Sequence, residues 1–306
     1  MTQEPQAALK NFQPQHEYFV GIDSDGCAFN TMEVKHNDCF SVNLIRHFGL
    51  PAISRQVHQA WDFVNLYSKT RGCNRFKAIL LVCDFLRDMP KVQRTGVLIP
   101  EFPYLREWTE TETKLGNRTL KAVIESSTGA KREELSAVLQ WSLAVNETIA
   151  GIVHNLPPFP GVAETLKGLQ ERADAIVVSA TPYEALKREW EEHNIDQYVG
   201  VIAGQEMGSK TEHLTLVAKG KYPPNHILMI GDAPGDLKAA RDVNALFFPV
   251  NPGYEEESWA RLADEGMEKF LNNEYAGDYE AQLIEEFEAL LPEEPPWRTG
   301  KCIRGF

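Results

Sequence analysis

The stretch Tyr18-Phe19-Val20-Gly21-Ile22-Asp23-Ser24-Asp25-Gly26 decides how the rest of the chain is read. A short apolar run that stops abruptly at two carboxylates has the pattern of a buried strand delivering charge at its carboxyl end. Beyond it the texture changes. From about Glu33 to His154 the apolar residues recur with helical period, in Asp38–Phe48, Phe76–Leu86, Leu120–Glu125 and Glu133–Ile149, with few β-branched runs. That segment reads as all-helical. Asn155–Gly161 (NLPPFPG) is Pro-rich and reads as a hinge.

After the hinge a regular alternation sets in. Ala163–Arg172, Tyr183–His193, Thr211–Lys219 and Leu237–Val243 have helical patterns; between them Ala175–Val178, Tyr198–Ala203, His226–Ile230 and Ala245–Val250 read as strands. Alternating β and α elements with short connections imply a parallel sheet covered by helices on both faces. The expected fold is therefore α/β, a Rossmann-like parallel-sheet core formed by residues 1–33 and 156–254. Residues 34–155 would be an inserted helical cap, and residues 255–306 an acidic helical extension with an irregular end.

Composition bounds the function. Of 306 residues, 31 are Lys or Arg and 44 are Asp or Glu, a net charge of −13. That balance excludes a nucleic-acid-coating role, because phosphate backbones are bound by clustered Lys and Arg. No apolar run approaches the ~18 residues of a membrane span, so no membrane partner is expected. The polar start, Met1 to Glu17, lacks the apolar core of a secretory signal. Five cysteines (Cys27, Cys39, Cys73, Cys83, Cys302) are scattered and form no CxxC pair. Free thiols in a reducing compartment, and a cytoplasmic location, are the simpler expectation.

Three strand-like runs end in groups that handle phosphate and metal. They are Asp23-Ser24-Asp25, then Ser179-Ala180-Thr181, then Gly231-Asp232 with Asp236 one helical turn later. In an open parallel sheet, ligands bind beyond the carboxyl ends of the strands, so these groups would converge. Two carboxylates spaced DxD can divide labour, one attacking while the other exchanges a proton. Carboxylate oxygens from two strands suit Mg²⁺, a hard cation that keeps several waters. Taken singly, each motif is equally well a turn or a helix cap. Their joint occurrence, each directly after an apolar strand, carries the functional reading.

Two competing motifs deserve comparison. DSDG could open a calcium loop, but position six is Ala28 rather than Gly and position twelve is Val34 rather than Glu. Gly204–Thr211 (GQEMGSKT) follows a strand and matches a phosphate-binding P-loop except that Ser209 replaces the last Gly, with Asp232 as a second-motif acid. A P-loop nucleotide-binding protein is thus a rival, although it leaves Asp23, Asp25 and Ser179 without a role.

In order, FVGIDSDG, VVSATP, Lys210 in GSKTEH, and IGDAPGD resemble the four motifs of the haloacid-dehalogenase-like hydrolase superfamily. PFPGVAETLKGL is also similar to that family's re-entry from an inserted helical cap. The resemblance implies that Asp23 is the nucleophile and Asp25 the general acid and base. It implies that Ser179, with Ala180 and Thr181, binds the phosphoryl group and that Lys210 neutralises it. Mg²⁺ would be held by Asp23, the Asp25 carbonyl and Asp232, with Asp236 in or beside that shell. Cys27 stands where the family usually has Thr, so a local hydrogen bond is expected to be missing. The second Asp argues for phosphate-ester chemistry rather than dehalogenation.

Within the cap, Ser68–Arg75 (SKTRGCNR) is a basic turn-rich stretch whose Lys69 or Arg71 would meet an anionic substrate group or simply be solvated. Trp61, Phe63 and Tyr67 are expected in the cap core; His36, His47 and His58 have no ligand spacing. The expected function is an Mg²⁺-dependent phosphatase acting on a small phosphorylated metabolite, as a monomer or homodimer. A phosphomutase with the same machinery and a non-catalytic binding protein are the alternatives.

Overall fold

A computed structural model of the chain describes residues 5–300. Its sheet has five strands: β1 (Tyr18–Ile22), β2 (Ala173–Val178), β3 (Val201–Ala203), β4 (Ile227–Gly231) and β5 (Leu246–Pro249). They lie in the order β3-β2-β1-β4-β5, and each neighbouring pair is parallel. The α/β reading therefore holds, with β1 at the centre of the sheet.

The strands are near-continuous apolar runs because both faces of the sheet are covered. Alternation sends Val20, Ile22, Val177, Leu228, Ile230 and Phe248 to one face, where the Val162–Leu169 helix, Trp190 and Trp259 pack. Phe19, Ile176, Val178, Met229 and Phe247 point to the other, against Leu214, Val217, Leu237 and Val243. Tyr198 does not belong to β3 as expected. Its N–H and that of Val199 bond back to Ile195 and Asp196 in a 3₁₀ turn, so pairing begins only at Val201.

The described chain divides into two compact units. The first comprises the described part of Met1–Met32 with Asn155–Leu291; the second is Glu33–His154 with the described part of Pro292–Phe306. The acidic segment after residue 254 is therefore not a separate extension. Its Glu255–Arg261, Met267–Leu271 and Asp278–Ala289 helices place Trp259, Phe270, Tyr275, Leu283 and Phe287 in the sheet-bearing unit's core. Acidic residues occupy the outer faces of these helices, which is why composition alone made them look detached. The end read as irregular contains a helical turn, Pro296–Thr299, and its last six residues lie outside the described ones.

The second unit is helical, built on Ser54–Asn65, Arg75–Asp88, Pro103–Thr111, Asn117–Ser126 and Gly129–Ile152. A π-helical turn, Lys35–Phe40, precedes the Ser41–His47 helix. The core is aromatic: Phe40 stacks on Trp61, which meets Trp141 edge to face at 6.0 Å. Trp61 and Phe63 are buried as expected, whereas Tyr67 is half-buried and donates to Glu33 at 2.6 Å. His36 accepts from Trp61 Nε1 and His58 bonds Ser41 Oγ, both structural pairings.

Candidate active site

Strand register brings the motif residues together. Ile22 pairs with Val177 on one side and Ile230 on the other, so Asp23, Ser179 and Asp232 all emerge from the same edge of the sheet. The Asp23 N–H donates to the Ile230 carbonyl at 2.9 Å, which extends the ladder up to the acid. Asp23 is buried, at 4% exposure, with Ser179, Asp232 and Asp236 buried around it.

Lys210 enters from the start of the Lys210–Val217 helix, whose N-terminus is fixed by reciprocal hydrogen bonds between Ser209 and Glu212. Its Nζ lies 2.8 Å from Asp23 Oδ2 and 2.5 Å from Asp236 Oδ1. Burial works against the ammonium, but Asp23 and Asp236 outweigh it and hold its pKa above the usual lysine range. Burial pushes the Asp23 carboxyl well above its ordinary range; Lys210 pulls it back, and Asp236 and Asp232 add to the rise.

Asp23, Asp232 and Asp236 each place a carboxylate oxygen within 4.8 Å of the other two. Three buried acids face one ammonium, so the cluster is over-supplied with negative charge, and buried charge is costly unless compensated. The hard-oxygen donor set and the excess charge both fit a divalent cation such as Mg²⁺. Asp236 is already engaged, since Oδ1 accepts from Lys210 and Oδ2 from the Ala233 N–H at 3.0 Å. It sits beside Asp23 and Asp232 as a second carboxylate partner of Lys210.

Asp25 is held on both carboxylate oxygens. Thr181 Oγ1 donates to Oδ2 at 2.6 Å, and Thr31 Oγ1 donates to Oδ1. Thr31 was not singled out from the sequence. No strand end announces it, and only the turn at Gly26, with φ of +77°, folds it back over Asp25. Ser179 Oγ accepts from the Thr181 N–H at 3.2 Å, which shapes the loop after β2, and Ala180 is exposed.

Cys27 keeps a hydrogen bond where one was expected to be missing. Its buried Sγ lies 3.7 Å from the Ile230 carbonyl, and burial followed by the nearby Asp23 pushes the thiol pKa well up, so it stays a protonated donor. Four amides of the Gly204–Thr211 loop, including that of the Ser209 which stands in place of the last P-loop glycine, are taken up within the protein. Gln205 N–H goes to Thr181 O, Met207 N–H to Gly204 O, Gly208 N–H to Gln205 O and Ser209 N–H to Glu212. The P-loop rival loses its physical basis there. In the second unit, Arg71 is buried and donates to the Leu66 carbonyl at 2.7 Å, while Lys69 pairs with Glu293 at 2.6 Å on the surface.

Acids from two parallel strands and a lysine thus converge at the carboxyl edge of the sheet. Residues 53–250 match the family model for haloacid dehalogenase-like hydrolases, about two-thirds of the chain. The chain belongs to that family. It is similar to a phosphoglycolate phosphatase from Vibrio vulnificus (strain YJ016), 28% identical over 102 residues, which is 31% of this chain and 45% of that protein. The chain thus matches less than half the length of that curated relative. A HAD-superfamily hydrolase of subfamily IA from Geobacter sulfurreducens aligns over 78% of this chain and 89% of its own at 14% identity and TM-score 0.40. A hydrolase from Pseudomonas syringae aligns over 80% and 89% at 15% identity and TM-score 0.44.

Proposed function

We propose that the chain is an Mg²⁺-dependent phosphatase that hydrolyses a small phosphomonoester through an aspartyl-phosphate on Asp23. The observation that carries this reading is the Lys210 Nζ contact with Asp23 Oδ2, beside a second acid, Asp25, that is hydrogen-bonded on both oxygens. The Vibrio relative's name supports phosphate-ester chemistry without fixing the substrate here.

In the proposed reaction, Asp23 attacks phosphorus and the ester P–O bond breaks. Asp25 gives its proton to the departing oxygen. Asp25 then takes a proton from water, whose oxygen attacks the same phosphorus, releasing orthophosphate and regenerating the Asp23 carboxylate. Lys210 faces the charge that spreads over the phosphoryl oxygens, and Ser179 and the Thr181 loop bind that group. The Asp23 and Asp232 carboxylates, with the Asp25 carbonyl, would hold Mg²⁺, which when bound supplies charge neutralisation for nucleophile and phosphate. The helical second unit would act as the cap.

The test is hydrolysis of p-nitrophenyl phosphate by the purified chain. Activity should require Mg²⁺, vanish with EDTA and return on adding the metal back. Metal-independent turnover would count against the reading.

A further inference from the structure

The loop that carries both acids is gripped at its two ends by buried indoles. Trp190, on the Tyr183–Glu192 helix, donates its Nε1–H to Ser24 Oγ at 3.0 Å. Trp259, on the Glu255–Arg261 helix, donates its Nε1–H to the Cys27 carbonyl at 2.8 Å. Both side chains are fully buried. Ser24 lies between Asp23 and Asp25, and Cys27 closes the turn after Asp25. Between them the turn is secured by Ala28 and Phe29 N–H groups on the Ser24 carbonyl and by Gly26 N–H on the Phe29 carbonyl. Phe29 in turn packs edge to face on Trp190, ring centroids 5.8 Å apart.

We infer that Trp190 and Trp259 are positioning residues that set where Asp25 stands relative to Asp23, which the sheet itself holds through its N–H on the Ile230 carbonyl. The inference rests on the phosphatase reading above. It also gives the acidic C-terminal segment a role, since Trp259 comes from that segment. An indole N–H is a rigid, directional donor, and each of these two meets a different end of the same turn from a different helix. Neither touches the reacting atoms. Their effect passes through the turn, and misplacement of reacting groups by about 1 Å is enough to cost roughly a hundredfold in rate.

The roles of the two acids supply a readout that loss of stability alone does not move. An aryl oxide leaves without a proton, whereas an alkyl oxygen needs one from Asp25. Trp259→Phe and Trp190→Phe keep most of the ring and remove the donor. With Mg²⁺, each should lower kcat/KM, which reports the phosphoryl transfer to Asp23 and not the later water attack that both esters share, by about tenfold to a hundredfold on an alkyl phosphate and several-fold less on p-nitrophenyl phosphate. Ser24→Ala, a minimal change, should reproduce the Trp190→Phe loss, and the double variant should be no worse than either single.

Equal loss of kcat/KM on both esters, additive losses in the double variant, or kcat/KM on the alkyl ester within twofold of wild type in folded variants would overturn the inference while leaving the phosphatase reading intact. Should a Phe variant fail to fold, Ser24→Ala decides alone by the same ratio of esters. If the wild-type chain cleaves neither ester, the phosphatase reading fails and the inference fails with it.

Discussion

Lys210 Nζ sits 2.8 Å from Asp23 Oδ2 and is simultaneously shared with Asp236, so one part-buried ammonium is the counter-charge for two buried acids. Removing it strips both at once. Lys210→Met should lower phosphate hydrolysis by about a hundredfold to a thousandfold, the range for losing a preorganised charge. It should also destabilise the fold by about 3 kcal/mol, since breaking a buried pair leaves uncompensated charge. Adding Asp236→Asn should restore part of the urea midpoint but none of the activity. Recovery of activity in the double variant would show that Lys210 acts only as a structural counter-ion.

Gly231 closes β4 just before Asp232. A Cβ there would lie 2.4 Å from the Asp236 Cβ, an approach that no side-chain rotation relieves. Gly231→Ala should therefore displace Asp236, and with it Lys210, lowering kcat by about a hundredfold. Steady-state kinetics on a variant whose circular dichroism matches wild type checks this; unchanged kcat would place Asp236 outside the machinery.

His213 is fully buried one turn after Lys210, and burial, then the Lys210 charge, lowers its pKa to about 4 from an ordinary 6.5. Because the folded value lies below the unfolded one, the unfolded chain binds more protons between them. The stability of the neutral ring is complete above about pH 6.5 and is lost as pH falls toward 4, by up to about 3 kcal/mol. Urea titrations across that window should show the slope, and His213→Leu should flatten it.

Asp62, in the helical unit, behaves in the opposite sense. Burial, then Glu33, raises its carboxyl to about 7 from 3.8, and its Oδ1 is a buried acceptor without a hydrogen bond. The folded value lies above the unfolded one, so stability is complete below about pH 4 and is lost as pH rises through 7. Asp62→Asn should raise the unfolding free energy at pH 8, by a few kcal/mol at most, and change little at pH 4. A lower unfolding free energy at pH 8 would mean the charge is satisfied.

Much of the sheet and its carboxyl edge was legible because buried parallel strands are apolar runs with abrupt polar ends. Tyr18–Ile22 ending at Asp23 and Ile227–Gly231 ending at Asp232 are both of this kind. What escaped depends on contacts between distant residues. Thr31 is an ordinary threonine until the Gly26 turn folds it onto Asp25. Trp190 and Trp259 look like core aromatics, and nothing local says their N–H groups reach Ser24 and Cys27. The acidic segment was misjudged for a related reason. Its charges are local and visible, whereas the burial of Phe270 and Tyr275 is set by the sheet they cover.

The central claim is that Asp23 carries the phosphoryl group, and trapping tests it most directly. Acid-quenching the enzyme during turnover of an aryl phosphate with Mg²⁺, then mapping peptides by mass spectrometry, should find phosphate bound to Asp23 and to no other residue. Asp23→Asn should show neither the adduct nor turnover. Undiminished turnover in Asp23→Asn, or an adduct on a different residue, would contradict the account.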